Sequence, residues 1–241
     1  MSRGGFETYS SDDYSKNFRQ KRFNDFIIDN RVVGFYDEPI KLKSGRLSHW
    51  YVNWRGVSQD VYMLDEATDQ VVGKILDSGV EFDCVYGVPE GATKLALLTQ
   101  YKLARCSGSY GHGSHVMAMG RGNVKEHGKP EDRHFLGKPR GKTLVLEDVT
   151  TTGNSLFETV WLLRGMNVNV AMALSLTDRM ELRDDGKIVS DFMKENGINY
   201  CRMSSALELL PMAYARLKPN RDIVRAVERE FENHGLDMVL L

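Results

Sequence analysis

Residues 143–155 constrain this chain more than any other stretch. An apolar run, Thr143-Leu144-Val145-Leu146, passes directly into two adjacent acids, Glu147 and Asp148. Val149, three threonines (Thr150, Thr151 and Thr152), Gly153, Asn154 and Ser155 follow, and then a helical pattern begins. The order is strand, polar turn, helix. In open α/β sheets, ligands bind outside the carboxyl ends of the strands, where this acid pair emerges. The turn offers backbone amides, hydroxyls and a helix N-terminus, which together suit an anion such as a phosphate monoester. Two carboxylates would repel that anion, yet they can accept hydrogen bonds from vicinal ribose hydroxyls. A sugar phosphate satisfies both halves. Capping of the following helix needs only one such residue, and two acids with four hydroxyls exceed that need. A GxxxxGK[ST] motif is absent, which removes the common nucleoside-triphosphate alternative.

The surrounding pattern fits such a sheet. Short apolar runs at residues 84–88, 115–119, 143–149, 168–177 and 198–203 alternate with helical segments at 92–104, 154–164 and 189–196. Strand–helix alternation predicts an α/β fold with a mainly parallel, five-stranded sheet flanked by helices. Before it, residues 17–33 and 61–76 read as helices, and residues 40–54 read as a hairpin with Gly45 in the turn. After it, residues 206–217 and 222–234 read as amphipathic helices. Residues 120–142 hold seven Lys or Arg, two Pro and two His among several Gly, with hardly any apolar residue. So long a polar connection inside a compact domain is a lid, a binding loop or a solvated hairpin.

Composition narrows the function classes. The chain has 241 residues and a formal charge of −1, which argues against a protein held to nucleic acid by bulk electrostatics. The three cysteines (Cys84, Cys106, Cys201) form no CxxC pair and suit a reducing compartment, with Cys84 and Cys201 expected as buried thiols. No stretch approaches the roughly 18 apolar residues of a membrane span. The expected organisation is a disordered tail over 1–16 and a single domain over 17–241, located in the cytoplasm.

The segment Glu147-Asp148-Val149-Thr150-Thr151-Thr152-Gly153 resembles the 5-phosphoribosyl-1-pyrophosphate (PRPP) signature of type I phosphoribosyltransferases. Three further segments resemble the orotate-specific members of that family. Leu42-Lys43-Ser44-Gly45-Arg46-Leu47-Ser48-His49-Trp50-Tyr51-Val52-Asn53 is similar to their LKSGR segment. Arg121-Gly122-Asn123-Val124-Lys125-Glu126-His127-Gly128 is similar to their RKExKxHG lid, and Thr177-Asp178-Arg179 to their strand-end Asp-Arg pair. The resemblance covers roughly residues 40–179. It implies the type I phosphoribosyltransferase fold with an N-terminal hood over 17–60, a core over 61–203 with a lid at 120–142, and C-terminal helices over 204–241. It also implies transfer of a phosphoribosyl group from PRPP to orotate, giving orotidine 5′-monophosphate and pyrophosphate in pyrimidine biosynthesis.

By the same resemblance, PRPP is held by Lys43, Arg121, Lys125, His127, Glu147, Asp148, Val149, Thr150, Thr151, Thr152, Gly153, Asn154 and Ser155. Orotate lies against Tyr51, Val52 and Thr151, with Arg179 on its carboxylate, a task that suits a planar guanidinium. Lys125, Asp148 and Arg121 are the implied catalytic residues. Mg²⁺ is implied as cofactor, held through PRPP and water near Asp148 with no direct protein ligand set. A homodimer that shares the lid between subunits is implied too, with no nucleic-acid or membrane partner. A fused decarboxylase domain is not expected.

Departures from the family pattern are visible. Gly122 stands where a second lid lysine is common, and Glu90, in Gly87-Val88-Pro89-Glu90-Gly91-Ala92-Thr93-Lys94, stands where a cation is common. Glu147 replaces the more usual Asp and keeps its charge. An enzyme for another base would share the PRPP segment but lack the LKSGR segment and Arg179. A non-catalytic PRPP-binding regulator would tolerate the missing lysines, but it has no need for Lys125 and His127.

Overall fold

The computed structural model describes Tyr14, residues 18–239 and Leu241. Of the tail predicted over residues 1–16, Tyr14 alone is described; it is buried, and its backbone lies against Gly73. Apolar residues at helical spacing form α1 (Gln20–Asp29), which buries Phe23, Phe26, Ile27 and Ile28. The helix ends earlier than its predicted limit at Val33, because Arg31 takes a left-handed φ of 53° and a strand begins at Val33. Strands β1 (Val33–Lys41) and β2 (Leu47–Val52) pair antiparallel, so the hairpin predicted over 40–54 begins earlier, at Val33. Gly45 sits in their turn at φ 87°, a conformation glycine adopts without a Cβ clash.

The short helix α2 (Trp54–Val57) and the longer α3 (Val61–Asp77) follow. The Asp60 carboxylate accepts from the Met63 amide at 2.8 Å and caps α3. Next come β3 (Cys84–Gly87), α4 (Thr93–Cys106), β4 (Met119–Gly120), α5 (Pro130–His134) and β5 (Phe135–Leu136). The remaining elements are β6 (Lys142–Thr150), α6 (Asn154–Gly165), β7 (Asn169–Asp178), α7 (Val189–Glu195), β8 (Tyr200–Ser205), α8 (Ala206–Leu217) and α9 (Arg221–His234).

Among the described residues the main sheet is parallel, in the order β3-β6-β7-β8. It therefore has four strands where the sequence predicts five. The candidate strand at 115–119 does not join it: the Val116 carbonyl accepts instead from the Gln100 side chain at 3.0 Å. Only its end, β4, pairs, and it pairs antiparallel with β5. Strand β6 shows why its run is continuously apolar. Leu144 and Leu146 enter one core cluster and Val145 the other, so both faces of the sheet are covered.

One cluster joins Leu144, Leu146 and Leu174 to Phe23, Trp50, Trp54, Val71 and Leu95, and to Leu209 and Phe231 of the C-terminal helices. The other packs Val145 and Ala173 against Leu156, Val160 and Met193 of α6 and α7. Cys84 is buried there, which pushes its thiol up to about 11. Cys201 is only partly buried, against expectation, because β8 is an edge strand with one side open.

Candidate active site

Strand β6 delivers Glu147 and Asp148 to the carboxyl edge of the sheet, with Glu147 opposite Ser175 and Val149 opposite Thr177 on β7. The turn that follows is held from within. The Thr150 hydroxyl donates to Ser175 Oγ at 2.9 Å, and the buried Thr152 offers its carbonyl to the Arg183 guanidinium. Arg183 also donates to Asn154 Oδ1 at 2.8 Å and stacks 3.5 Å from the Phe192 ring centroid. Gly153 enters α6 at φ 74°, and a Cβ there would lie 2.9 Å from Val189 Cγ1. Both conformation and space therefore require glycine at this position. No local sequence signal marks Arg183, since its partners lie about 30 residues upstream.

A cavity of about 200 Å³ opens above this edge. Its walls bring together Lys43, Tyr51 and Val52 of the hairpin, Glu147, Asp148, Val149, Thr151 and Ser155 of the strand and turn, and Arg179. Three segments that are distant in sequence thus meet, and residues 121–128 do not line this cavity. Lys43 Nζ donates to Ser155 Oγ at 2.8 Å and ties the hairpin turn to the start of α6. The hairpin is fixed from below by Trp54, whose Nε1 donates to Thr177 Oγ1 at 3.1 Å while its ring stacks on Phe23 and Phe26. Thr150, Thr152, Gly153 and Asn154 do not line the cavity; they shape the turn. The cavity also includes Asn53, the segment Val88, Pro89, Glu90 and Gly91, which the sequence marked only for its missing cation, and Arg55, which sequence reasoning did not place there. The available signal was a Gly-rich loop leaving β3 at the same sheet edge as the acid pair.

Glu147 is 6 % exposed, and its pKa stands well above the ordinary carboxylate value. Burial is the first cause and the neighbouring Asp148 charge the second, while Lys43 acts in the opposite direction. Asp148 lies so close to Gly91 that any Cβ at residue 91 would overlap its carboxylate.

Arg179 is 1 % exposed and largely committed to the protein. Its Nε donates to Glu181 at 2.7 Å, one terminal nitrogen to the Trp50 carbonyl at 3.2 Å, and the other to Ser48 Oγ at 2.9 Å. Its guanidinium carbon lies 3.7 Å from the Trp50 ring centroid. These bonds use three of its five N–H donors. Asp178 holds the turn that presents it, accepting from the Met180 amide and the Tyr200 hydroxyl, both at 2.8 Å.

The segment expected to form a lid folds back on itself. The Arg121 amide donates to the His134 carbonyl at 2.9 Å, the Lys125 amide to the Arg133 carbonyl at 3.0 Å, and Arg121 Nε to the Asp132 carbonyl at 2.9 Å. Arg121 lines a second cavity of about 820 Å³, which shares Arg55, Glu90 and Gly91 with the first. Lys125 and His127 are exposed and line neither cavity. The two departures noted in the sequence touch each other: a side chain at Gly122 would overlap the Glu90 carboxylate.

The chain is 31% identical over 169 residues to the orotate phosphoribosyltransferase of Methylococcus capsulatus, spanning 70% of this chain and 75% of that one. The chain belongs to the orotate phosphoribosyltransferase family. A second relative of the same name, from Bordetella pertussis, is 28% identical over 220 residues, covering 86% of this chain and 93% of its own length. No family model matches the chain. The crystal structure of the Francisella tularensis orotate phosphoribosyltransferase superposes with a TM-score of 0.62 at 21% identity, over 89% of this chain and 99% of that one. That likeness establishes the type I phosphoribosyltransferase fold.

Proposed function

We propose that this chain is an orotate phosphoribosyltransferase: it joins orotate to the ribose of PRPP, forms orotidine 5′-monophosphate and releases pyrophosphate. One observation carries the reading. Thr151 and Ser155 of the phosphate turn, Glu147 and Asp148 expected at the ribose, and Tyr51, Val52 and Arg179 expected at the pyrimidine come from separate segments and line one cavity at the carboxyl edge of the sheet. In this reading the 5-phosphate sits on the amides and hydroxyls of residues 150–155. Glu147 and Asp148 accept hydrogen bonds from the ribose hydroxyls. Orotate lies against Tyr51 and Val52, with its carboxylate toward the two uncommitted N–H groups of Arg179.

The bond from the anomeric carbon to pyrophosphate breaks with oxocarbenium character, N1 of orotate bonds to that carbon, and the N1 proton leaves to the departing pyrophosphate or to water. Orotate is already anionic, so stabilising the leaving group is the larger task. Mg²⁺ fits the site. The Asp148 and Glu90 carboxylates that face the cavity are hard oxygen donors, and magnesium takes one or two of these together with phosphate oxygens. Among the described residues no group of three or more His, Cys, Asp or Glu side chains is arranged to hold an ion, so the ligand's own oxygens would supply most of its shell. When bound, it neutralises charge on the departing pyrophosphate.

Arg121, Lys125 and His127 complete the electrostatics when the lid closes. Because Lys125 and His127 line neither cavity of their own chain, we assign them to the site of a second copy in a homodimer. Cytoplasmic location belongs to the same reading and is supported by Cys84 and Cys201, which stand as thiols. No helix of the described residues is long and apolar enough to cross a membrane.

The test is pyrophosphate release from PRPP and Mg²⁺ with the purified chain. Release should depend on orotate and be absent with adenine, hypoxanthine or uracil. Release with a purine in place of orotate would overturn the base assignment.

A further inference from the structure

We propose that Arg55 is a further substrate-binding residue, whose guanidinium meets the pyrophosphate group of PRPP. The proposal rests on the reading above that the activated pentose is the ligand. Such a ligand has two anionic ends. Its 5-phosphate end belongs to the turn at residues 150–155, and its ribose to Glu147 and Asp148. Gly91 lies directly against the Asp148 carboxylate, so the second anionic end extends toward the place where Gly91, Glu90 and Arg55 border both cavities.

Five cationic side chains line the two cavities: Lys43, Arg55, Lys94, Arg121 and Arg179. Four of them are already bonded. Lys43 reaches Ser155 Oγ at 2.8 Å, Lys94 the Ser58 carbonyl at 3.0 Å, Arg121 the Asp132 carbonyl at 2.9 Å, and Arg179 is enclosed in its own network. Arg55 is different. Among the described residues its guanidinium makes no hydrogen bond or ion pair, while its backbone amide donates to the Asn53 side chain at 3.1 Å.

The adjacent Trp54 is clamped to Thr177, so the backbone that carries Arg55 is fixed while its charged end is uncommitted. Glu90 beside it would repel a pyrophosphate. A guanidinium at the same junction offsets that repulsion and can hold two phosphate oxygens through parallel N–H bonds. It stands where the Glu90–Gly122 pair leaves the pyrophosphate side short of cations.

The experiment measures binding by calorimetry for the full-length wild type, Arg55→Ala and Arg55→Lys. The ligands are PRPP, magnesium pyrophosphate and ribose 5-phosphate, which lacks the second anionic end. Arg55→Ala should weaken PRPP and pyrophosphate about tenfold and leave ribose 5-phosphate within about twofold. Arg55→Lys should fall between, since it keeps the charge and loses the fork. A loss of PRPP affinity below about threefold overturns the proposal, as does an equal loss for ribose 5-phosphate, which would mark general damage. A wild type that fails to bind pyrophosphate overturns it as well. A wild type that binds PRPP through Arg55 but releases no pyrophosphate with orotate sinks the assigned reaction and leaves Arg55's role standing.

Discussion

Glu147 sets stability against binding within one side chain. It is 6 % exposed, and burial together with the Asp148 charge raises its pKa well above the ordinary value. A carboxyl whose folded-state pKa lies above its unfolded value contributes stability that is present below the unfolded pKa and lost as pH rises through the folded-state pKa. At neutral pH the ionised form therefore opposes folding. Glu147→Gln is expected to raise Tm at about pH 7.5, with the gap to wild type closing toward about pH 4. The same change should weaken PRPP binding about tenfold, because an amide is a poorer acceptor than a carboxylate. Scanning calorimetry at the two pH values and a PRPP titration check both. A lower Tm than wild type at neutral pH would contradict the burial argument. Arg179 shows the opposite economy: its charge is balanced by Glu181 at 2.7 Å, so it can stay buried at a cavity wall.

At the scale of elements, the strand–turn–helix unit β6–α6 was the most legible part of the chain. Its signals are local: a run that is apolar because both faces are covered, then acids, hydroxyls and a glycine at fixed offsets. The segment at 115–119 was less legible. Its Val116 and Ala118 alternate like a strand, yet Gln100 of α4 takes the Val116 carbonyl that a neighbouring strand would need. Arg55, Arg183 and Glu230 carried no signal at all, because what gives each a role is spatial; Glu230, for example, meets Ser48 across 182 residues of sequence. The segment at 120–142 stood out by its cations, whereas its folding onto itself through the Arg121–His134 and Lys125–Arg133 backbone bonds carried no signal. Since Lys125 is exposed, Lys125→Ala should leave Tm unchanged while lowering kcat by about 10²–10³. Mixing that variant with Asp148→Asn should restore activity in mixed dimers if the lid serves the neighbouring site. Mixtures no more active than either parent would place the lid over its own site.

Across the whole molecule, the C-terminal helices reach back to the site. Glu230 on α9 accepts from Ser48 Oγ and from the His49 amide, both at 2.6 Å, and Ser48 in turn accepts from Arg179. Glu181 bridges Arg179 at 2.7 Å and Arg46 at 3.0 Å. Hairpin, sheet edge and last helix are thus locked around one guanidinium, with Trp50 stacked on Phe231 beneath it. This framework leaves the turn at residues 150–155 as the fixed point against which the other segments are aligned. The most direct test is a crystal structure of the chain with PRPP, Mg²⁺ and orotate. The 5-phosphate should lie on the amides of Thr151 to Ser155, the ribose hydroxyls on Glu147 and Asp148, and the pyrimidine ring against Tyr51. A sugar phosphate bound elsewhere, with that turn left empty at saturating ligand, would contradict the account.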